Sequence, residues 1–135
     1  MARIPGPFQT DDAIELLDDL EGMDGGQRQG RVVAVLEGLL ANTGYVEAPQ
    51  MAEAVAAAAL VAGSVDPDVV AGERAVPSWL EDEPVEVDDT VEELATRTFH
   101  RALRHDDNEW WDLWESRGTA DQLEERLLHY LSAFE

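Results

Sequence analysis

The chain has 135 residues, with 30 Asp or Glu against nine basic residues, all of them Arg, and a net charge of −21. Its 44% hydrophobic content excludes wholesale disorder despite that charge, and the length suits a single domain with a core of its own. There is no basic stripe for nucleic acid phosphates or anionic lipid. The absence of Cys excludes a disulfide framework, a thiolate zinc site and a Cys nucleophile.

Residues 1–9 contain Pro5, Gly6 and Pro7 before Phe8, which reads as an extended or turning arm. The first residues are not an apolar signal segment. Thr10 is a good N-cap, and Asp11 and Asp12 suit the positive end of a helix. Ala13, Leu16, Leu17 and Leu20 recur on one face, so a helix is predicted over about 11–21, with Phe8 stapled near its first turn and Gly22, Gly25 and Gly26 ending it.

A second helix is predicted over about 27–42 from Val32, Val33, Leu36, Leu39 and Leu40, with Gly44 at its C′ position. Pro49 fits the first turn of a third helix over about 49–63, which is nearly all Ala and small apolar residues and is stopped by Gly63 and Ser64. Small side chains on every side predict a central, buried helix. Its apolar run, Ala54 to Ala62, falls short of the roughly 20 residues a bilayer requires, so the chain reads as soluble and cytoplasmic.

The stretch 64–90 is interrupted by Pro67, Pro77 and Pro84 and carries six carboxylates in nine positions: Glu81, Asp82, Glu83, Glu86, Asp88 and Asp89. It is expected to be a loop region within the same domain, with a short helix around Asp68–Arg74 and a turn around Trp79. Val85 and Val87 form at most a short edge strand. Val91, Leu94, Ala95, Thr98, Phe99 and Ala102 then define the clearest helix, ended by the positive charges of Arg97, Arg101, Arg104 and His105. Asp107 or Asn108 caps a short helix over about 109–116, with Trp110, Leu113 and Trp114 on its inner face and Trp111 turned away. Thr119 and Gln122 read as a capping box for a last helix over about 120–134. The predicted architecture is therefore all-α: one compact bundle of five to seven helices around the Ala-rich one.

Candidate chemistry is sparse. Two carboxylate triplets, Glu15/Asp18/Glu21 and Glu109/Asp112/Glu115, occur at helical spacing, and helical bundles can hold metals through such groups. A di-iron site, however, requires Glu three residues before His, and His100, His105 and His129 follow Arg97, Ala102 and Arg126 instead. No Lys is present to assist a nucleotide phosphate, and no Gly-x-Ser-x-Gly elbow occurs. The triplets lie mainly off the apolar stripes, as solvated faces do. No cofactor is implied. The Trp cluster has a plain reading, with two rings inside and one over a loop, and a functional one as an anchor for a protein partner.

Phe8-Gln-Thr-Asp11-Asp12-Ala13-Ile-Glu15, preceded by Gly6-Pro7 and followed by Leu20-Glu21, resembles the N-terminal signature of a family of small acidic bacterial proteins known only as a domain of unknown function. That signature runs Gly-Pro-Phe-x-Asn-Asp-x-Ala-x-Asp. Tyr45-Val-Glu47-Ala48, the Ala-rich helix and Glu109-Trp-Trp-Asp-Leu113-Trp114-Glu115 are similar to further segments of the family. The chain departs from it at Ile4, where an aromatic is usual, at Thr10 and Glu15, and at Ala59, where a Glu often stands. The resemblance implies a compact all-helical cytoplasmic protein and no reaction.

Two functions follow as expectations. One is a non-enzymatic, acidic interaction protein, which includes an immunity-like inhibitor of a basic protein partner. Its candidate positions are Phe8, Asp11, Asp12, Glu15, Tyr45, Trp110, Trp111 and Trp114. The other is a metal-assisted hydrolase using Asp11, Asp12 and Glu15. Genome composition and a salty cytoplasm compete with a binding face as explanations of the acidity.

Overall fold

The computed structural model describes residues 6–135; the part of the expected N-terminal arm before residue 6, Ile4 included, lies outside them. Of the described residues, 71% are helical. Its α-helices run Asp11–Glu21 (α1), Gly25–Ala41 (α2), Ala48–Val65 (α3), Trp79–Asp82 (α4), Asp89–Leu103 (α5), Glu109–Ser116 (α6) and Ala120–Leu131 (α7), with 3₁₀ turns at Pro67–Val70 and Ser132–Phe134. No strand occurs among the described residues. Val85 and Val87 lie in an extended segment instead, where Val85 N donates to Ser64 Oγ at 3.0 Å and Glu86 exchanges backbone hydrogen bonds of 2.9 Å with the Gln29 amide.

Helix α3 is the axis of the bundle. It packs against α1, α2, α5, α6 and α7, and Ala54 and Ala56–Ala59 have no exposed surface. Alanine permits that crowding, because a Cβ methyl lets a neighbouring backbone approach where a longer side chain would hold it off. At 18 residues α3 is longer than the Ala54–Ala62 run suggests. By length and composition it could cross a membrane, but 67% of it is buried inside the fold. The helix continues through Gly63 and Ser64, contrary to the expected stop. A Cβ at Gly63 would meet Val70 Cγ1 at 2.9 Å, so this glycine admits the Pro67–Val70 turn rather than ending a helix. Ser64 Oγ donates back to Leu60 O at 2.8 Å.

Other departures have equally local causes. Gly25 and Gly26 open α2 instead of closing α1, because Asp24 and Gln27 form a capping box. Gly44 is not the C′ residue of α2; Asn42 caps it in extended conformation and its Oδ1 accepts from Gly44 N at 3.1 Å. Val33 and Leu40 are only half-buried, while Val35 joins the core. The short helix expected at 68–74 is the Pro67–Val70 3₁₀ turn. Thr119 makes no capping box: its Oγ1 donates to Trp114 O at 3.0 Å. It belongs to the end of α6, where Gly118 at φ +73° and the bonds Gly118 N to Glu115 O and Thr119 N to Trp114 O form a Schellman motif.

Candidate functional site

The residues quoted from the N-terminal signature, the Tyr45 segment and the Trp segment converge around α6. The signature begins as a closed turn in which Gln9 N donates to Gly6 O at 3.1 Å and Gly6 N to Gln9 Oε1 at 2.7 Å. Gly6, Pro7 and Phe8 are all buried, Phe8 completely. Thr10 then caps α1, its Oγ1 accepting from Ala13 N at 3.2 Å. Asp11 and Glu15 are exposed and Asp12 is half-buried. Asp11 and Asp12 occupy the first turn, where the helix dipole favours carboxylates. Among the described residues no group of three or more His, Asp or Glu side chains is placed to hold a metal ion. Asp11, Asp12 and Glu15 belong to no such group.

The second and third segments are joined directly. Val46 N donates to Asp107 O at 2.9 Å and Glu109 N to Val46 O at 3.0 Å, a single parallel bridge between Val46 and Asn108. Glu109 Oε1 accepts from Ala48 N at 2.8 Å, capping the start of α3 with a side chain from α6. Asn108, with no exposed surface, is the polar centre of the junction. Its Nδ2 donates to Ala102 O and Arg104 O, both at 2.9 Å, and its Oδ1 accepts from Trp111 N at 3.0 Å. Asp107 takes φ +51° to bring its carbonyl into position, a left-handed conformation that Asp tolerates better than most residues.

Arg101 closes the junction from α5. Its guanidinium is buried and donates to Asp107 O at 2.6 Å, Gly44 O at 3.2 Å and, weakly, Asp106 O at 3.5 Å. Burial, then the nearby charge of Arg104, lowers its pKa from the usual arginine value. Arg104 itself is exposed and pairs with Asp106 at 2.7 Å. That pairing raises the pKa of Arg104 and lowers that of Asp106.

The tryptophans do not divide as their helical spacing suggests. Trp110 and Trp111 are both buried, and Trp114 is half-buried. The Arg104–Asp107 loop folds His105 over Trp111, ring to ring at 4.2 Å and 15°. Trp111 Nε1 donates to Glu115 at 2.9 Å. Arg117 lies 5.0 Å over Trp114. The exposed apolar residue of α6 is Leu113, at 43%, although the stripe places it inward.

Tyr45 is the exposed aromatic of the site, at 52%. Partial desolvation, and then the negative charges of Glu109, Asp112 and Glu47, raise its phenol pKa. The buried junction thus presents on its outer side an aromatic ring among carboxylates.

The chain belongs to the family described as Domain of unknown function (DUF4259). The family match extends over residues 4–126, nearly the whole chain and all three converging segments. No curated protein and no solved structure matches it.

Two residues that carry the architecture escape sequence reading. Arg28 is buried between α1 and α4: Nε donates to Leu20 O at 3.1 Å, Nη2 to Met23 O at 2.9 Å and Nη1 to Glu83 at 3.1 Å, with Trp79 stacked 4.3 Å away. Arg101 is the other. Both are accounted for by backbone carbonyls at the ends and turns of neighbouring elements, with Glu83 and Trp79 added at Arg28. Two buried indole donors near the signature, Trp110 Nε1 and Trp114 Nε1, find no hydrogen-bond partner, whereas the Tyr130 hydroxyl lies beside the Glu73 carboxylate.

Proposed function

We propose that the protein is a non-enzymatic interaction module that engages a basic protein partner through the face centred on Tyr45, in the manner of an immunity-like inhibitor acting in the cytoplasm. The observation that carries this reading is the exposed Tyr45 ring beside Glu47, Glu109 and Asp112. An aromatic gives contact area at low entropic cost, and its face attracts a Lys or Arg cation. Flanking carboxylates steer a basic partner and strengthen that contact. The rigid junction beneath, held by Arg101 and Asn108, reduces the ordering cost of binding. The chain's charge of −21 extends the same field over longer range, so association is expected to be fast at low salt and slower as salt rises.

The test compares capture of native partners by wild type and by Tyr45→Ala/Asp112→Asn, both exposed positions, at 50 and 500 mM salt. The reading expects basic proteins retained by wild type at low salt, lost with the double variant and weakened by salt. Equal capture by both proteins would refute it.

A further inference from the structure

A groove of about 440 Å³ runs between the end of α2 and the C-terminal half of α5. Arg97, His100, Arg101 and Arg104 form one wall, and the other is the end of α2 with the turn after it, from Leu39 to Thr43. No Asp or Glu lines this groove, in a chain where carboxylates outnumber Arg by 30 to nine. The four bases recur at i, i+3, i+4 and i+7, which is one face of a helix.

Helix polarity accounts for only part of this clustering. A helix C-terminus favours cations, but the effect fades within the last turn. His100 and Arg101 lie in the last turn of α5, and Arg97 does not. Glu93 stands four residues before Arg97, a spacing that favours a pair. Even so, among the described residues the ion pairs are those of Arg28, Arg104 and Arg126, and Arg97 makes none. Both Arg97 and His100 are exposed. Arg101 is committed to the carbonyls of Gly44 and Asp107, so it adds charge beneath the groove without a free fork. Arg104 is held only by the exposed Asp106, a pair that solvent screens and a multivalent anion can displace.

The surroundings select the size of the ligand. At a net charge of −21, a nucleic acid, an anionic membrane or a large acidic protein meets repulsion across its whole contact area. A small anion inside the groove is spared most of it, because charges beyond about 8 Å are screened at physiological salt. The volume is that of a small-molecule site. Arg97 and Arg104 are seven residues apart, about 10 Å along the axis, with His100 between them. Two linked anionic groups match that spread better than one. A guanidinium fork meets phosphoryl oxygens two at a time, and a phosphoryl group keeps a third oxygen for the imidazole.

We infer that this groove is a binding site for a small anion with two linked phosphoryl groups, held by Arg97, His100 and Arg104 against the end of α2. It uses none of the side chains of the Tyr45 face, so it stands or falls apart from the interaction reading.

Sodium pyrophosphate, orthophosphate and succinate, each titrated against NaCl at matched pH and ionic strength, serve as probes. Melting temperature and NMR of the histidine ring protons are the readouts. Pyrophosphate is expected to raise the melting temperature saturably above the chloride control and to move the His100 resonances, assigned by their loss in His100→Gln. It should bind about fivefold or more tightly than either other probe. Arg97→Gln, at an exposed position, should weaken pyrophosphate about fivefold. Arg74→Gln removes the same charge from an exposed position outside the groove and should leave the affinity unchanged. No saturable response beyond the chloride control would overturn the inference. Equal affinities in the two variants would overturn it as well, by making any binding an effect of net charge. Orthophosphate or succinate binding as tightly as pyrophosphate would overturn the assignment of two phosphoryl groups.

Discussion

Replacing Arg101 by Met keeps most of the apolar stem and removes the guanidinium that joins α5 to the 44–46 and 104–108 loops. Two of its bonds are well formed, to Asp107 O at 2.6 Å and Gly44 O at 3.2 Å, and the third, at 3.5 Å, contributes little. Hydrogen bonds from a charged donor contribute about 1.5–3 kcal/mol each, so the pair totals roughly 3–6 kcal/mol. Part of that returns in the variant. Burying the guanidinium is itself unfavourable, as its lowered pKa indicates. Gly44 and Asp107 are also exposed residues, so water can reach their carbonyls. The expected net loss is about 2–4 kcal/mol, read as a lower urea midpoint at unchanged slope, or a melting temperature lower by roughly 10 °C. Arg104→Gln is the control: its pairing with Asp106 is exposed and screened by solvent, so its removal should leave the urea midpoint almost unchanged. A loss below 1 kcal/mol for Arg101→Met, or equal losses for the two variants, would refute the view that Arg101 holds the junction together.

Three further outcomes follow. Gly63→Ala should destabilise by about 0.5–2 kcal/mol, because the methyl would meet Val70 and overpacking outweighs the gain in helix propensity; Gly30→Ala and Gly38→Ala, which meet nothing within 4 Å, should stabilise by about 0.5–1 kcal/mol each, and the same urea series reads all three. Burial first, then Glu73, raises the pKa of Tyr130 above the usual tyrosine value of 10.0, and Tyr45 is raised as well; stability should therefore be full below pH 10 and fall as pH rises above it, with the fall reduced in Tyr130→Phe. Thirty carboxylates against nine Arg should make the melting temperature rise from 0.1 M to 1 M NaCl, as the Debye length shrinks from about 10 Å to about 3 Å; a flat or falling curve would mean that the charges are locally paired.

The elements legible in the sequence are those whose cause is local. Thr10 with its two aspartates, Pro49, Asn108 and the periodic stripes of α1 and α5 mark helix positions to within a residue or two, because caps and 3.6-residue periodicity act over a single turn. The Ala run likewise places α3 at the centre. What fails depends on contacts from distant segments. Gly63 looks like a stop until Val70 and Leu80 are seen against it. Leu113 fits the α6 stripe, yet Trp111 is the residue that is buried, with His105 stacked over its ring, while Leu113 is exposed. Arg28 and Arg101 carry no local sign of burial, since most of their partners are backbone carbonyls, which have no sequence signature, and the Glu83 carboxylate at Arg28 is 55 residues away. The same holds for the candidate site: Tyr45, Trp110 and the Gly6–Thr10 turn are visible as separate segments, but their convergence on α6 is a property of the fold alone.

Asp11 and Asp12 sit in the first turn of α1, where a structural role and metal ligation make opposite forecasts. Thermal melting of wild type and Asp12→Asn, in Mg²⁺ or Mn²⁺ against matched ionic strength, separates the two most directly. Neither ion is expected to shift either protein beyond its control, and Asp12→Asn is expected to cost at most about 1 kcal/mol, the contribution of a carboxylate to a helix N-terminus. A metal bound to the native state would instead raise stability with the logarithm of its concentration above the dissociation constant. A saturable Mn²⁺ shift in wild type that disappears in Asp12→Asn would contradict the structural role.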